Sequence, residues 1–233
     1  MWGFLDCTRY YLSFGIPKVV LNEASIAIGT REKLGLLVPL GGGKSTIMRM
    51  LAGVDQPNGG QVLRDEGGIP LGYAGSLLAE RSGEENIRNL ATLLSIDPIE
   101  FSAFCYRFSQ LGEAYFHPIK MWTGAMRGRL AFAASLGAPA KTYLADGKLA
   151  GGDRPFAEKC LAALRERLKT TGLIFVTSAP RMTEQFCERH AVLVNGKIIE
   201  CATHEEAAEM FEWNSMENVE DVADEELASF DLV

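Results

Sequence analysis

LGLLVPLGGGKSTIMRMLAG, residues Leu34 to Gly53, is the stretch from which the rest of the chain can be read. It opens with an apolar run, Leu34 to Val38, followed by Gly41, Gly42 and Gly43 and then by Lys44, Ser45 and Thr46. Ile47, Met48, Met50 and Leu51 make the closing segment amphipathic. Buried strand, glycine turn and helix start, in that order, are the setting of a phosphate-binding P-loop. Glycine N–H groups can wrap a phosphate because no Cβ blocks the approach, and a helix N-terminus adds a favourable dipole. In such a loop Lys44 brings positive charge to the β- and γ-phosphates, and the Ser45 hydroxyl binds Mg²⁺. The pattern G-x-x-x-x-G-K-[ST] is incomplete, because Val38 stands where its first glycine belongs. Valine before Pro39 favours extended backbone, so the strand is expected to run one residue further before it turns. A glycine-rich β–α turn with an incidental lysine is the competing reading.

The 233 residues suit one sizeable domain, or one with an inserted lobe. The net charge of −7 is unevenly spread: Glu212 to Val233 holds eight acids and no Lys or Arg, leaving the first 211 residues at +1. That acidic tail reads either as a solvated segment or as a docking segment for a basic partner. No basic stripe with interleaved aromatics points to nucleic acid. Cys7, Cys105, Cys160, Cys187 and Cys201 form no C-x-x-C pair and are odd in number, as expected of free thiols in a reducing compartment. His117, His190 and His204 lack metal-ligand spacing. With no basic-then-apolar leader and no apolar run approaching membrane-spanning length, a cytoplasmic location is expected, and any membrane role must come through a partner.

Ahead of the loop, Tyr10, Tyr11, Val19, Val20, Ile26 and Ile28 predict short antiparallel strands, with turns at Gly15–Pro17 and Gly29–Thr30. Beyond it, Asp55 to Gly60 reads as a turn and Ile69 to Ala74 as a strand. Glu84 to Gly112 reads as helical, with Asp97 an N-cap and Pro98 the first residue of a second helix. Further helices are expected over Met126–Leu136, Phe156–Leu168, Arg181–His190 and Thr203–Phe211. Strands over Lys141–Asp146 and Leu173–Thr177, and a hairpin turning at Asn195–Gly196, complete a mostly parallel α/β core.

Taken together, these markers resemble the ATP-binding subunits of ABC transporters, in the branch that exports capsular or O-antigen polysaccharide. The resemblance covers about residues 8–211. It is carried, in order, by TRYY at Thr8–Tyr11, the glycine loop, LAGVDQPNGG at 51–60 and ENIRN at 85–89. WTGAMRGRLAFAASL at 122–136, KTYLAD at 141–146, FAEKC at 156–160 and the terminal VLVNGKIIE follow. The fold it implies is a P-loop NTPase of ABC type: a mostly parallel core sheet, a small antiparallel β subdomain and a helical lobe at about 84–136. That nucleotide-binding domain would span 1–211, and the acidic tail 212–233. The cofactors implied are ATP and Mg²⁺. Tyr11 would stack on adenine, although it reads equally as a sheet-packing residue. Pro39, Leu40, Gly41, Gly42, Gly43, Lys44, Ser45 and Thr46 would surround the phosphates, while Ser45 and Asp146 serve the metal. Thr123, Gly124, Ala125 and Met126 fall on the signature segment. The partners implied are a membrane-spanning permease subunit, met by the helical lobe, and a second ABC-type subunit, identical or not. The location would be peripheral, at the inner face of the cytoplasmic membrane.

Several family positions carry other residues. The catalytic glutamate that follows Asp146 is Gly147, the switch histidine is Ser178, and the lobe-joining glutamine is Leu78. The signature's serine and second glycine are Thr123 and Ala125, and a polar loop position is Leu40. These changes fall on groups that would touch the γ-phosphate, the attacking water or the partner subunit. Lys44, Ser45, Thr46 and Asp146 are kept. Losing one general base costs ~10²–10⁴ in rate, and the other changes remove orientation and charge stabilisation. The expectation is a subunit that binds ATP with little or no hydrolysis, in a scaffold or regulatory role. The alternative is an active ATPase that energises polysaccharide export with rearranged residues. MRGRLAFA and the C-terminal hairpin count against an unrelated P-loop kinase.

Overall fold

A computed structural model describes residues 1–13, 16–75 and 77–215, and the chain divides into two compact units. Gly15 of the expected first turn and most of the acidic tail, residues 216–233, lie outside the described residues.

The first unit comprises residues 1–64 and those from 174 onward. Strands β1 (Trp2–Ser13) and β2 (Ile16–Ile28) pair antiparallel, with Tyr10 opposite Val19 and Tyr11 opposite Lys18. Strand β4 (Gly59–Leu63) lies along the other edge of β1. The β1–β2 pair is longer than the short strands expected, because register shifts around Cys7 and Arg9 let the ladder bend without ending. A second set of strands runs β7 (Gly172–Thr177, in this unit from Ile174), β3 (Lys33–Leu37), β8 (Arg189–Val194) and β9 (Lys197–Cys201). β3 and β8 are parallel, and β8 and β9 form the expected hairpin, with Asn195 and Gly196 both at positive φ as a two-residue turn requires. β3 is apolar from Leu34 onward because it is covered on both faces: Leu34, Leu36 and Leu37 are all buried. Gly35 lets helix α6 (Pro180–Phe186) come close, since a Cβ there would lie 2.7 Å from the Thr183 side chain. Helix α1 (Lys44–Leu51) turns Ile47, Met50 and Leu51 inward.

Two expectations need correction here. The helix predicted over Arg181–His190 stops at Phe186, and Arg189 and His190 already belong to β8, where His190 sits opposite Gly35. Pairing with β3 overrides helix propensity at those residues. The last helix, α7, spans residues 204–215 and does not end at 211. Phe211 packs with Leu37 and Val192, and buried Asn214 donates from Nδ2 to the Leu193 carbonyl at 3.1 Å. Residues 212–215 therefore belong to the folded body.

The second unit comprises residues 65–173. β5 (Gly68–Pro70) and β6 (Thr142–Asp146) pair in parallel. The strand expected over Ile69–Ala74 ends early because the Gly72 N–H goes to Ser135 Oγ (2.9 Å) and the chain turns. Helices α2 (Gly83–Leu93), α3 (Pro98–Ser109), α4 (Gly124–Gly137) and α5 (Arg154–Arg167) each start on a side-chain cap. Ser82 and Glu85 form a reciprocal capping box, and Asp97 caps α3 ahead of Pro98, as expected. Ile87, Phe101, Cys105, Tyr115, Trp122 and Leu130 form the core between α2, α3 and α4. Among the described residues no helix is long and apolar enough to cross a membrane.

Candidate functional site

The glycine loop grows out of β3. β3 ends at Leu37, so the extra strand residue expected at Val38 is not formed; the Val38 N–H still donates to the Thr177 carbonyl at 2.9 Å and its side chain is fully buried, so this valine does not line the loop. The chain then folds over, with the Gly42 N–H donating to the Pro39 carbonyl at 3.0 Å. Gly41 and Gly43 hold φ of 77° and 93°, and a Cβ on Gly43 would sit 2.4 Å from Val20. Gly43 is the N-cap of α1 and offers no side-chain cap, and the first turn of the helix contains no acid. Helices α2 to α5 are all capped, whereas α1, like the short α6, is not, and its N-terminal N–H groups and dipole are left for an anion. Lys44 turns its ammonium back to the Pro39 carbonyl (3.2 Å), a contact that a phosphate oxygen would replace with a stronger, charge-assisted one. Ser45 is exposed at this end of the helix and Thr46 is buried behind it. Leu40 is 87% exposed at the bend of the loop.

Tyr11 reaches the start of α1 from β1. Its hydroxyl bonds Thr46 Oγ1 (3.1 Å), donates to Asp55 Oδ2 (3.0 Å) and accepts from Arg49 (3.1 Å). The Arg9 guanidinium lies 4.4 Å above the Tyr11 ring and also pairs with Asp55 at 3.0 Å. Burial pushes the Tyr11 phenol up, but the hydrogen bond to Thr46 and the adjacent Arg9 charge outweigh it and the net shift is downward. Burial likewise works against the Asp55 carboxylate, yet Tyr11, the Gln56 N–H and the Arg9 charge hold it below its ordinary range. Tyr11 is thus pinned by its hydroxyl, with one ring face under Arg9. Ser178 is half-buried after β7, and the adjacent Ala179 N–H donates to Thr177 Oγ1 (3.2 Å).

The remaining predicted positions belong to the second unit. Asp146 ends β6 and is exposed, and Gly147 follows it at φ 68°, with open space where a Cβ would stand. The loop at Leu78 is gripped by one side chain: the Leu78 N–H donates to Asn86 Oδ1 (2.7 Å), and Asn86 Nδ2 donates back to the Leu78 carbonyl (3.1 Å). Asn86 is buried and also donates to the Ser82 carbonyl at 2.8 Å. Thr123 caps α4 by accepting from the Met126 N–H (3.3 Å). Thr123, Gly124 and Ala125 are exposed, and Met126 packs on the helical core.

The chain is 35% identical over 191 residues to the ATP-binding protein BexA of Haemophilus influenzae, covering 82% of this chain and 88% of that one. It is 32% identical over 205 residues to the capsule polysaccharide export ATP-binding protein CtrD of Neisseria meningitidis serogroup B, covering 88% of this chain and 95% of that one. The chain belongs to the ABC ATP-binding proteins of polysaccharide export. A solved ATP-binding cassette, MJ0796 as a dimer bound to ADP and Pi, shares the fold with a TM-score of 0.71 at 20% identity, over 85% of this chain and 96% of that one. No protein-family model matches the sequence.

Within this ABC protein, sequence reading missed Arg9, Arg49, Asp55 and Asn86 as members of the candidate site. A partial signal was present. Arg9 and Tyr11 are two residues apart on a strand, which puts them on one face, and both lie in TRYY. Asp55 and Asn86 stand in segments that had served only as family markers.

Proposed function

We propose that this ABC protein is the nucleotide-binding subunit of a cell-surface polysaccharide exporter, and that it binds ATP–Mg²⁺ with little or no hydrolysis. The relatives, themselves named ATP-binding proteins, support the first half, as does the uncapped, glycine-lined start of α1. In this reading Gly41 to Thr46 receive the phosphates, with Lys44 opposite the β- and γ-oxygens, while Ser45 and Asp146 serve Mg²⁺. Tyr11 and Arg9 border the nucleotide.

The observation that carries the second half is Gly147. The position expected to supply the water-polarising carboxylate has no side chain and a backbone that L residues rarely adopt. Ser178 supplies no imidazole, and Leu78 no amide. A membrane permease and a second ABC subunit follow by analogy with the export systems named for the relatives and with the dimeric cassette, and would hold the protein at the inner face of the cytoplasmic membrane. The retained Lys44, Ser45 and Asp146 favour the alternative, a working ATPase.

Calorimetric titration of ATP–Mg²⁺ into the full chain tests the binding half. Saturable binding that Lys44→Ala abolishes is expected. No binding, or binding indifferent to Lys44→Ala, contradicts the reading.

A further inference from the structure

The aromatic platform beside α1 lies wholly within the first unit, and its hydrogen bonding limits what kind of base it can read. A phenol hydroxyl has one donor and two acceptor positions, and on Tyr11 all three are used. The hydroxyl donates to Asp55 Oδ2 (3.0 Å), accepts from Arg49 (3.1 Å) and, with its proton on Asp55, accepts from Thr46 Oγ1 (3.1 Å). Arg9 gives one terminal nitrogen to the Gln56 carbonyl (3.0 Å) and the other to Asp55 (3.1 Å). The Asp55 carboxylate is filled in turn by Arg9, Tyr11, Arg49 and the Gln56 N–H (3.0 Å). Arg9 Nε is buried and unpartnered, but its guanidinium lies over one face of the Tyr11 ring, and a base would take the other.

Adenine and guanine differ at position 6, where one presents an amino donor and the other a carbonyl acceptor. Telling them apart takes a polar group aimed at that edge, and a site that has one rejects the wrong partner by ~10⁴–10⁵. Here the fold itself consumes the polar end of the platform. What Tyr11 can offer a base is its π-face, and stacking on an aromatic face is tolerant of which base is stacked.

We propose that this subunit selects its nucleotide by triphosphate and by stacking, and so takes purine nucleoside triphosphates as a class, guanine as well as adenine, with pyrimidines held more weakly. The inference rests on the nucleotide-binding reading above. The glycine loop and Lys44 receive the phosphates whatever the base. The wider overlap of a purine with the Tyr11 ring sets purines above pyrimidines. The subunit then responds to the pool of purine triphosphates and not to ATP alone.

Calorimetric titration of the full chain with the Mg²⁺ complexes of ATP, GTP, CTP, UTP and inorganic triphosphate tests this. ATP and GTP should bind within ~threefold of each other, and CTP and UTP ~tenfold more weakly. Tyr11→Phe keeps the ring and removes the hydroxyl, so the ratio of ATP to GTP affinity should not move. Tyr11→Ala should bring ATP and GTP down to the level of CTP and UTP. Inorganic triphosphate carries no base and should bind Tyr11→Ala as it binds the wild type, which separates a lost platform from a lost fold. ATP preferred over GTP by ~30-fold or more overturns the proposal in favour of a group that reads the adenine edge. GTP preferred by as much overturns it in favour of Arg49, whose half-exposed side chain has donors for guanine O6 and N7. A purine–pyrimidine difference that survives Tyr11→Ala also overturns it, because another surface then carries the base. If neither the nucleotides nor inorganic triphosphate bind, the nucleotide reading falls and takes this proposal with it; if ATP binds and GTP does not, that reading stands and the proposal alone falls.

Discussion

At the scale of single residues, Gly147 sets the condition on any return of hydrolysis. A glutamate there must adopt the φ of 68° that glycine holds, or move the backbone beside Asp146. Gly147→Glu should therefore cost about 1–2 kcal/mol, a fall of roughly 2–8 °C in Tm, without raising phosphate release. A variant as stable as the wild type in a thermal melt would mean that the backbone relaxes at no cost. Tyr11 offers a second test, because its ring and its hydroxyl have separate partners. Tyr11→Phe keeps the ring under Arg9 and removes the bonds to Thr46, Asp55 and Arg49, so stability should drop by about 1 kcal/mol. ATP affinity should hold if stacking is what matters, and Tyr11→Ala should lose it. Titration of both variants separates a stacking ring from a purely structural one. The loop residues were legible in the sequence because adjacent residues carry the motif. The Arg9–Asp55 pair was not, since its members stand 46 residues apart, one on β1 and one after α1, and only the fold joins them.

Among the elements, the same division between local and distant information decides what could be read. The caps at Asp97 and Thr123 and the turn at Asn195–Gly196 depend on residues within a few positions of one another, and such signals survive without tertiary context. The end of α6 and the length of α7 do not: His190 is drawn into β8 by β3, and Asn214 is fixed by a carbonyl 21 residues away. Asn214→Ala leaves that buried carbonyl short of a donor and should cost about 1–3 kcal/mol, to be read from the thermal midpoint. His190 gives a pH test. It is buried with Nδ1 unpartnered, its ring 5.2 Å from that of His204, with Glu184 and Glu205 nearby. Burial first, and the neighbouring His204 second, hold its pKa below the ordinary 6.5 against the pull of the two glutamates. The unfolded chain therefore takes up the proton more readily. His190's contribution to stability is full above pH 6.5 and is lost as pH falls through that value towards the folded pKa. Tm should fall between pH 7.5 and 5.5, and His190→Gln should shrink that fall; an equal fall in both proteins would place the titrating group elsewhere.

For the whole molecule, the order of strand, glycine loop and helix, followed by alternating strands and helices, was enough to read an ABC-type α/β fold, and the relatives establish the family. Family membership leaves turnover open, because the departures at Gly147, Ser178 and Leu78 are single positions that overall identity hardly registers. Whether they matter is a question about rate. The account divides the function in two, with phosphate and metal groups retained and water-activating groups replaced. Steady-state phosphate release from the full chain at saturating ATP–Mg²⁺, beside the affinity measured on the same preparation, addresses both halves together. The predicted result is binding that depends on Lys44, with release at or below ~0.01 s⁻¹, at least ~10² under a typical slow enzyme. Release at ~1 s⁻¹ or faster, abolished by Lys44→Ala, would contradict it.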